Sequence, residues 1–582
     1  MSEETKLEQG LLLYLVFLDP VGSMAFRRLA ISLFALWSHF CLADPIPISI
    51  PSKPSLNNVV YSNFLGISFE LSFMNEYFGN DTSTIPQPML NYLSGLRALN
   101  GPSHPIRIRV GGNSADTSTY MPNQTSPMVV LTDPNANANY QPVSYGPMLW
   151  QVLNQVAKDV GGAQYLIGVS LNDTGRDDMI VGSARQILGD SLDAVLIGNE
   201  PDLYAVHGVR PNLQNYTVDD YIGEFDTIVD QLQNTPAGNA VNGQTVAGPT
   251  ICCFWDLATV LEEGYLSNFT SVLKYITLQH YPQNNCFGSY RYGLDYYLQH
   301  ANVVDLAAWQ QPGIDLVVAN QGSGRPQLVM SEFNSASCGG IPTISDTFAV
   351  GALWTVDYAL QQASVGYSAT YVHTREKGIS YNILTPSDDG WTTNPPFYAL
   401  LATAEILRAT NGSIVTDLNV ENSIINTDAT TAGYAVYDAQ TSSIKTLVFL
   451  NFANSSAQFS LPQGLIPQNE DRNITVKYLS ASSATEKYNI VWGGQTFLNV
   501  TDGKAVDFDA SKLTWARQNT DVDCSNGCTI DAPGPSLAVV FLEKEATLSH
   551  SQNENHVAAN GSLRIGCLGW VFGVLIRLSL FL

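Results

Sequence analysis

Two glutamates give the first sign of chemistry. The mostly apolar run Leu192-Asp-Ala-Val-Leu-Ile197 ends in Gly198-Asn-Glu-Pro201. A run that does not alternate reads as a strand buried on both faces. Gly198 lets the backbone turn, and Pro201 stops the ladder. Glu200, just after Asn199, is left at the carboxyl end of a core strand, which is where barrel enzymes carry their chemistry. Pro326-Gln-Leu-Val-Met-Ser-Glu-Phe-Asn-Ser335 repeats the pattern with Glu332. Two carboxyls at two strand ends can work as a pair on a glycosidic bond. One protonates the leaving oxygen, and the other attacks the anomeric carbon.

Bringing both carboxyls to one mouth requires alternating strands and helices. The sequence predicts strands over 64–70, 106–110, 165–169, 192–197, 245–247, 275–278, 327–330 and 368–372. Helical spacing fills 88–99, 148–160, 179–188, 218–232, 257–266, parts of 293–302 and 315–319, and 347–362. Residues 113–145 form a polar, turn-rich excursion without clear periodicity, and loops of that length are usually functional or disordered. Eight strand-helix units predict an α/β fold, a (β/α)8 TIM barrel over 63–403. No Gly-x-Gly-x-x-Gly follows the first strand, which argues against a dinucleotide fold, and no cofactor is expected. Beyond residue 403 come short strands at 434–437, 445–450, 458–461, 474–479 and 537–542. They predict a C-terminal antiparallel β-sandwich over 404–545.

The glutamate stretches resemble those of retaining glycoside hydrolases built on (β/α)8 barrels. Further motifs are Gly111-Gly-Asn-Ser-Ala-Asp116 and Gln279-His-Tyr-Pro282. On these, residues 64–542 are similar to glycoside hydrolase family 79, the β-glucuronidase and heparanase group, particularly its fungal members. The resemblance implies that Glu200 is the acid/base and Glu332 the nucleophile. It also implies that residues 44–62 form a linker and a strand added to the β-domain. As acid, Glu200 must keep its proton, and both burial and a negative Glu332 favour that. Tyr281 is placed to donate a hydrogen bond to Glu332. Asn199 is placed to bond the sugar 2-hydroxyl, a contact that strengthens in an oxocarbenium-like transition state.

The implied activity is that of an exo-β-glucuronidase releasing terminal (4-O-methyl)glucuronic acid. Competing expectations are an endo-acting heparanase-like hydrolase, another retaining barrel glycosidase, or an inactive carbohydrate-binding wall protein. Retention of both glutamates counts against the last. Candidate donors to the uronate are the amides of Gly339 and Gly340, with His373, Arg375 and Lys377. Glu70 and Asp116 are candidate acceptors from sugar hydroxyls, with Arg109, His280 and Asn334 in support. Family members often carry a tyrosine near the first of those glycines, where this chain has Ser337 and Cys338.

The chain has 582 residues and a formal charge of −25. That balance disfavours nucleic-acid partners, and an anionic sugar then needs a locally basic pocket. The expected partner is a glycan ending in a uronic acid, with no obligate protein partner evident. Residues 1–43 read as a leader and signal peptide, with Met24 a candidate true start before Arg27-Arg28 and an apolar run. Ten Asn-x-Ser/Thr sequons, at Asn80, Asn123, Asn172, Asn215, Asn268, Asn411, Asn454, Asn473, Asn499 and Asn560, fit a secreted protein. Secretion favours disulfides: a local Cys524–Cys528 staple, and a bridge among Cys252, Cys253, Cys286 and Cys338 joining loops at the barrel mouth. No nearby His has zinc-ligand spacing, so no metal is expected. Residues 546–582 read as a polar linker and a hydrophobic tail resembling a lipid-anchor signal, which would hold the protein at the cell surface.

Overall fold

A computed structural model describes residues 44–210, 215–320, 322, 324–465 and 473–542. The leader, the tail and Asn560 lie outside these residues. Eight parallel strands close a barrel in chain order. They are β1 (Leu65–Glu70), β2 (Ile106–Gly111), β3 (Ala163–Val169), β4 (Leu192–Ile197), β5 (Val246–Ile251), β6 (Leu273–His280), β7 (Gln327–Phe333) and β8 (Tyr367–Thr374). Leu166, Ala194, Leu196, Ala247, Tyr275, Val329, Ala369 and Tyr371 fill the barrel interior. The alternate residues face the surrounding helices, as the period of two requires.

Three departures from the expected elements have local causes. Residues 113–145 are not structureless: they hold a helix at Asn113–Thr117 and a small sheet of Thr119–Tyr120, Val129–Leu131 and Val143–Tyr145. Strands that short leave no readable period. The helix expected over 257–266 is interrupted by a wide turn at Leu261–Tyr265, where Gly264 sits at φ +117°. The third is in β7. Leu278 of β6 pairs with Met330, but Gln279 pairs with Glu332, so Ser331 is an extra residue on β7. Such a bulge turns later side chains to the opposite face. With Val329 facing inward, Glu332 would otherwise face out. The bulge aims it into the mouth, and Ser331 Oγ caps the irregularity by donating to Leu278 O at 3.1 Å.

The C-terminal β-domain is lopsided. Its large sheet runs β9 (Ser413–Asp417), β10 (Thr431–Asp438), β11 (Ile444–Asn451), β19 (Ser536–Phe541), β13 (Asn473–Ala481), β14 (Ile490–Trp492), β15 (Gln495–Thr496) and β16 (Val506–Asp507). The strand β17 (Thr520–Asp523) pairs with β13. The small sheet is β12 (Ala457–Leu461) between β18 (Cys528–Ala532) and a strand at Ile46–Pro47, where Ile46 lies opposite Phe459. Alternation divides the large sheet between two cores. Tyr434, Val436, Val448, Leu450 and Val539 pack toward the barrel. Ala435, Tyr437, Leu447, Phe449 and Val540 pack under the small sheet with Ile48 and Phe459.

The barrel and the large sheet also share a polar contact. His300 Nδ1 lies 3.0 Å from both carboxylate oxygens of Asp357, on helix Thr355–Val365, and its Nε2 lies 3.0 Å from Asp417 at the end of β9. Tyr434 Oη donates to Asp357 at 2.6 Å. Burial alone would lower the His300 pKa, but the two aspartates lift it to about 10. The imidazolium thus donates from both nitrogens.

Candidate active site

Both glutamates lie at the carboxyl ends of the barrel strands. After β4 the chain turns at Gly198 (φ +78°), where a Cβ would meet Leu171 at 2.5 Å. Glu200 itself is left-handed, at φ 51° and ψ 55°. A non-glycine residue there stores local strain of about 1–3 kcal/mol, a feature that clusters at functional sites. Asp202, two residues on, accepts the backbone N–H groups of Cys253 and Phe254, each at 2.7 Å. That fastens the β5 exit to the turn that carries Glu200. The residues there are bridged as a Cys252–Cys253 disulfide.

The pair is electrically asymmetric. Burial raises the Glu200 pKa well above the usual carboxyl value, and the negative charges of Glu332 and Asp202 add to that. Burial acts on Glu332 too, but His373, Arg109 and the Tyr281 hydroxyl outweigh it and hold its pKa low. Tyr281 Oη donates to Glu332 Oε1 at 2.6 Å, and Arg109 Nη1 pairs with Oε2. His373 Nε2 lies 3.8 Å from Glu332 and 3.4 Å from Glu70, with Nδ1 2.9 Å from Ser68 Oγ. The two carboxyls are therefore pushed in opposite directions, the division that an acid and a nucleophile need.

The other expected residues fall into groups. Arg109 is a hub, with Nη2 donating to Asn199 Oδ1 at 2.7 Å and Nη1 to Ser68 Oγ at 3.0 Å. Asn199 Nδ2 donates to Asn113 Oδ1 at 2.8 Å, the contact a sugar hydroxyl would have to share or replace. Glu70 accepts from Ser114 N at 2.9 Å and from Ser114 Oγ.

Asp116 differs from the hydroxyl acceptor expected of it. It is buried, and it accepts from Leu171 N at 3.0 Å, Asn199 N at 3.2 Å and Tyr204 Oη at 2.7 Å. Burial raises its pKa to about 6. It braces the Asn199 backbone and does not face the mouth.

His280 is likewise displaced. It points away from the barrel interior and stacks on Trp309 with centroids 4.2 Å apart, and burial lowers its pKa to about 4. Asn334 ties β7 to β8 by donating to His373 O at 2.9 Å. Lys377 is exposed, with its backbone N–H on Glu76. Arg375 is buried and held by Glu376 at 2.9 Å and by Asn139.

Four contributors were missed from sequence. Gln279 lies between Asn199 and Glu200, 2.7 Å from Asn199 Oδ1 and 3.1 Å from Glu200 Oε1. Strand alternation could have found it, because Gln279 shares a face with Tyr281 and His280 cannot. Asn139 and Tyr140 come from the excursion. Asn139 bonds Arg375 and also reaches Cys338 Sγ at 3.4 Å, while Tyr140 Oη is 2.8 Å from His207 Nδ1. The excursion thus arches from the β8 exit to the β4 exit and walls one side of the mouth. Tyr381, also buried, sits close enough to feel the charges of Arg375, Glu332 and Glu70.

Behind Glu332, Cys338 (φ 59°), Gly339 (φ 93°) and Gly340 (φ 76°) are successive left-handed residues. Cys338 is bridged to Cys286 on the β6 exit. Both glycines are buried, and among the described residues neither N–H has a hydrogen-bond partner. Consecutive amides in such a turn form a concave nest for an anion.

Comparison with known proteins agrees with this fold. Residues 433–539 match the glycosyl hydrolase family 79 C-terminal beta domain. A β-glucuronidase of Neurospora crassa is 24% identical over 533 residues, covering 81% of this chain and 91% of that protein. The structure of a 4-O-α-L-rhamnosyl-β-D-glucuronidase from Fusarium oxysporum 12S shares the fold at TM-score 0.67 and 20% identity, over 85% of this chain and all of that one. A family 51 α-L-arabinofuranosidase from Bifidobacterium longum shares it more distantly, at TM-score 0.55 and 12% identity, over 85% of this chain and 99% of that one. With its barrel, its paired glutamates and a C-terminal stretch that matches the family 79 β-domain, the chain is a glycoside hydrolase that resembles the family 79 enzymes.

Proposed function

We propose that the protein is a retaining exo-β-glucuronidase that removes terminal glucuronic or 4-O-methylglucuronic acid from glycans. The observation that carries this reading is the opposed electrostatics of the two glutamates, Glu200 pushed up and Glu332 held down. Glu332 attacks the anomeric carbon while Glu200 protonates the departing oxygen. Glu200, now ionised, then takes a proton from the water that cleaves the glycosyl-enzyme. The buried, unpartnered amides of Gly339 and Gly340 suit the uronate carboxylate. The wall made by Asn139 and Tyr140 favours a pocket over a cleft open at both ends, and so favours exo over endo action. The relatives named for glucuronide hydrolysis point the same way.

Secretion fits the surface. All nine sequon asparagines among the described residues are exposed, whereas Asn58, Asn100, Asn199, Asn334, Asn382 and Asn451, none of them in a sequon, are buried. Three disulfides fit an oxidising compartment.

The test is hydrolysis of 4-nitrophenyl β-glucuronide beside the β-glucoside and β-xyloside, with the first-formed sugar followed by NMR. The expected outcome is preference for the glucuronide and release of the β-anomer. Preference for a neutral glycoside sinks the substrate assignment, and first release of the α-anomer sinks the retaining mechanism. Gly340→Ala should reduce the glucuronide preference, because its Cβ would lie 2.8–2.9 Å from Ser380 and Ser345 at a left-handed φ.

A further inference from the structure

The small sheet of the excursion turns one face to the protein and one to solvent. Thr119 lies opposite Ser144, and Ser144 opposite Val130, so these three share a face. Tyr120, Tyr145 and Val129 share the other. The second face is buried. Tyr145 packs on Tyr120 with centroids 5.4 Å apart, and on Trp150 of the helix Pro147–Asp159 at 6.1 Å. The first face therefore points outward. It carries apolar surface in the open: Val130 is 40% exposed, and Met121, two residues beyond Thr119, is 46% exposed.

Thr119, Met121, Asn123, Gln124, Thr132 and Ser144 line a cavity of about 520 Å³ on that face. Asn123 heads the sequon Asn123-Gln-Thr125. We infer that Asn123 carries an N-linked glycan whose first N-acetylglucosamine seats in this cavity and lies against Met121. This rests on the secretion reading given above, because sugar is transferred to asparagine in the secretory route.

The local structure suits both transfer and seating. Gln124 N donates to Met121 O at 3.0 Å, which closes a turn with Asn123 at its third position. Asn123 and Thr125 are both exposed, as an enzyme that reads the tripeptide requires. Gln124, between them, is tied inward, its amide donating to Ser144 O at 3.0 Å and to Pro127 O at 3.2 Å. The turn also packs closely on Gly146, where a Cβ would meet Met121 O at 2.5 Å. A turn fixed in this way holds the first sugar over one place, so little further ordering is needed.

The lining fits a pyranose. A sugar ring has apolar faces of C–H groups and a rim of hydroxyls. Met121 stands two residues before Asn123, and a flexible thioether moulds to such a face. Thr119 and Ser144 offer hydroxyls to the acetamido group and the ring hydroxyls. None of the lining residues is charged, so an ionic partner finds nothing to pair with there. A separate molecule would also meet the cost of association, which a sugar tethered at the rim avoids. The strands Val129–Leu131 and Val143–Tyr145 are joined by the loop that carries Asn139 and Tyr140. A sugar that covers this sheet thus steadies the wall of the mouth from its outer side.

The test uses the full chain secreted by a glycosylating fungal or yeast host. Peptide mapping by mass spectrometry should find Asn123 glycosylated. Amide hydrogen exchange over 129–131 and 143–145 is then compared in wild type, wild type trimmed by endoglycosidase H to one N-acetylglucosamine, Asn123→Gln and Thr125→Ala. Covering even one methylene's worth of apolar surface changes a local opening equilibrium about fourfold. Exchange should be unchanged by trimming, and about fourfold or more faster in both variants, which lose the sugar by different routes. Asn268→Gln, which removes the sequon on the helix Leu266–Phe269, should leave these strands as they were. In a Met121→Ser background the effect of losing the sugar should shrink.

A protein that reaches the medium with Asn123 bare overturns the inference and leaves the secretion reading standing. A chain that stays in the cell with every sequon bare overturns both. An occupied Asn123 whose loss changes nothing, or changes no more than the loss of the Asn268 sugar, also overturns the inference. So does disagreement between Asn123→Gln and Thr125→Ala, or an undiminished effect in the Met121→Ser background.

Discussion

Replacing His300 by glutamine tests the polar contact between barrel and β-domain. The imidazolium is held by the buried Asp357 and the half-buried Asp417, with Tyr434 as a further donor to Asp357. A folded pKa of about 10 stands against an ordinary value of about 6.5, a rise of about 3.5 units at about 1.4 kcal/mol each. That sets a ceiling of about 5 kcal/mol, in line with the roughly 3–5 kcal/mol lost when one partner of a buried pair is removed. The sign follows from linkage. Below about pH 6.5 folded and unfolded chains are both protonated, and the contribution is complete. Between there and about pH 10 only the folded chain keeps the proton, so the contribution drains away as pH rises. For the roughly 500 described residues, unfolding entropy near 2 cal/mol/K per residue turns about 4 kcal/mol into a Tm shift of about 4 °C. The assay is scanning calorimetry of wild type and His300→Gln from pH 5.5 to 10. A gap that is largest at low pH and closes toward pH 10 is expected. A constant gap, or none at pH 6, refutes the assignment of the proton to His300.

The two glutamates should be separable by azide. Glu332→Ala should lose activity on every leaving group and, with azide, yield the inverted sugar azide. Glu200→Ala should still glycosylate on acidic phenols, and azide should then give the retained product. Products of the opposite stereochemistry would reverse the roles. Tyr281→Phe removes one of the groups that hold the Glu332 pKa down. A hydrogen bond to a charged group is worth about 1.5–3 kcal/mol, so the acid limb of kcat/KM should rise by about one to two pH units. An unmoved acid limb would show that Arg109 and His373 suffice without it.

Much of the scaffold was legible in the sequence, and particular residues explain why. The strand Leu192–Ile197 and the helix Val218–Leu232 were read to the residue. The helix announces itself by the reciprocal cap of Thr217 and Asp220 and by an apolar stripe at Tyr221, Phe225, Ile228 and Leu232. The strands β14 to β18 went unread, being two to five residues long and, in β16 and β17, polar and mostly exposed. The glutamates could be found because Gly198 and Pro201 mark a strand end, and because an acid at such an end is unusual. The bulge at Ser331 could not be found, since register is a property of two strands and the sequence shows one. The same limit hid the partners. Asp116 looks like any mouth acid until Tyr204 and Leu171 are seen to use up its oxygens. Arg375 looks like an anion receptor until Asn139, distant in sequence, is found against it.

The strand at Ile46–Pro47 finds its partner in β12 more than 400 residues later. At a synthesis rate of about 5–20 residues per second, the first strand exists for roughly 20–80 s before that partner does. The whole barrel lies between the two, so it has time to close first. Through that interval Ile46, Ile48 and Ile50, which end packed in the small sheet's core, have nothing to pack against. The β-domain is thus the last part of the molecule to assemble. Its small sheet forms only when a closed barrel has carried Ile46–Pro47 and β12 to the same place.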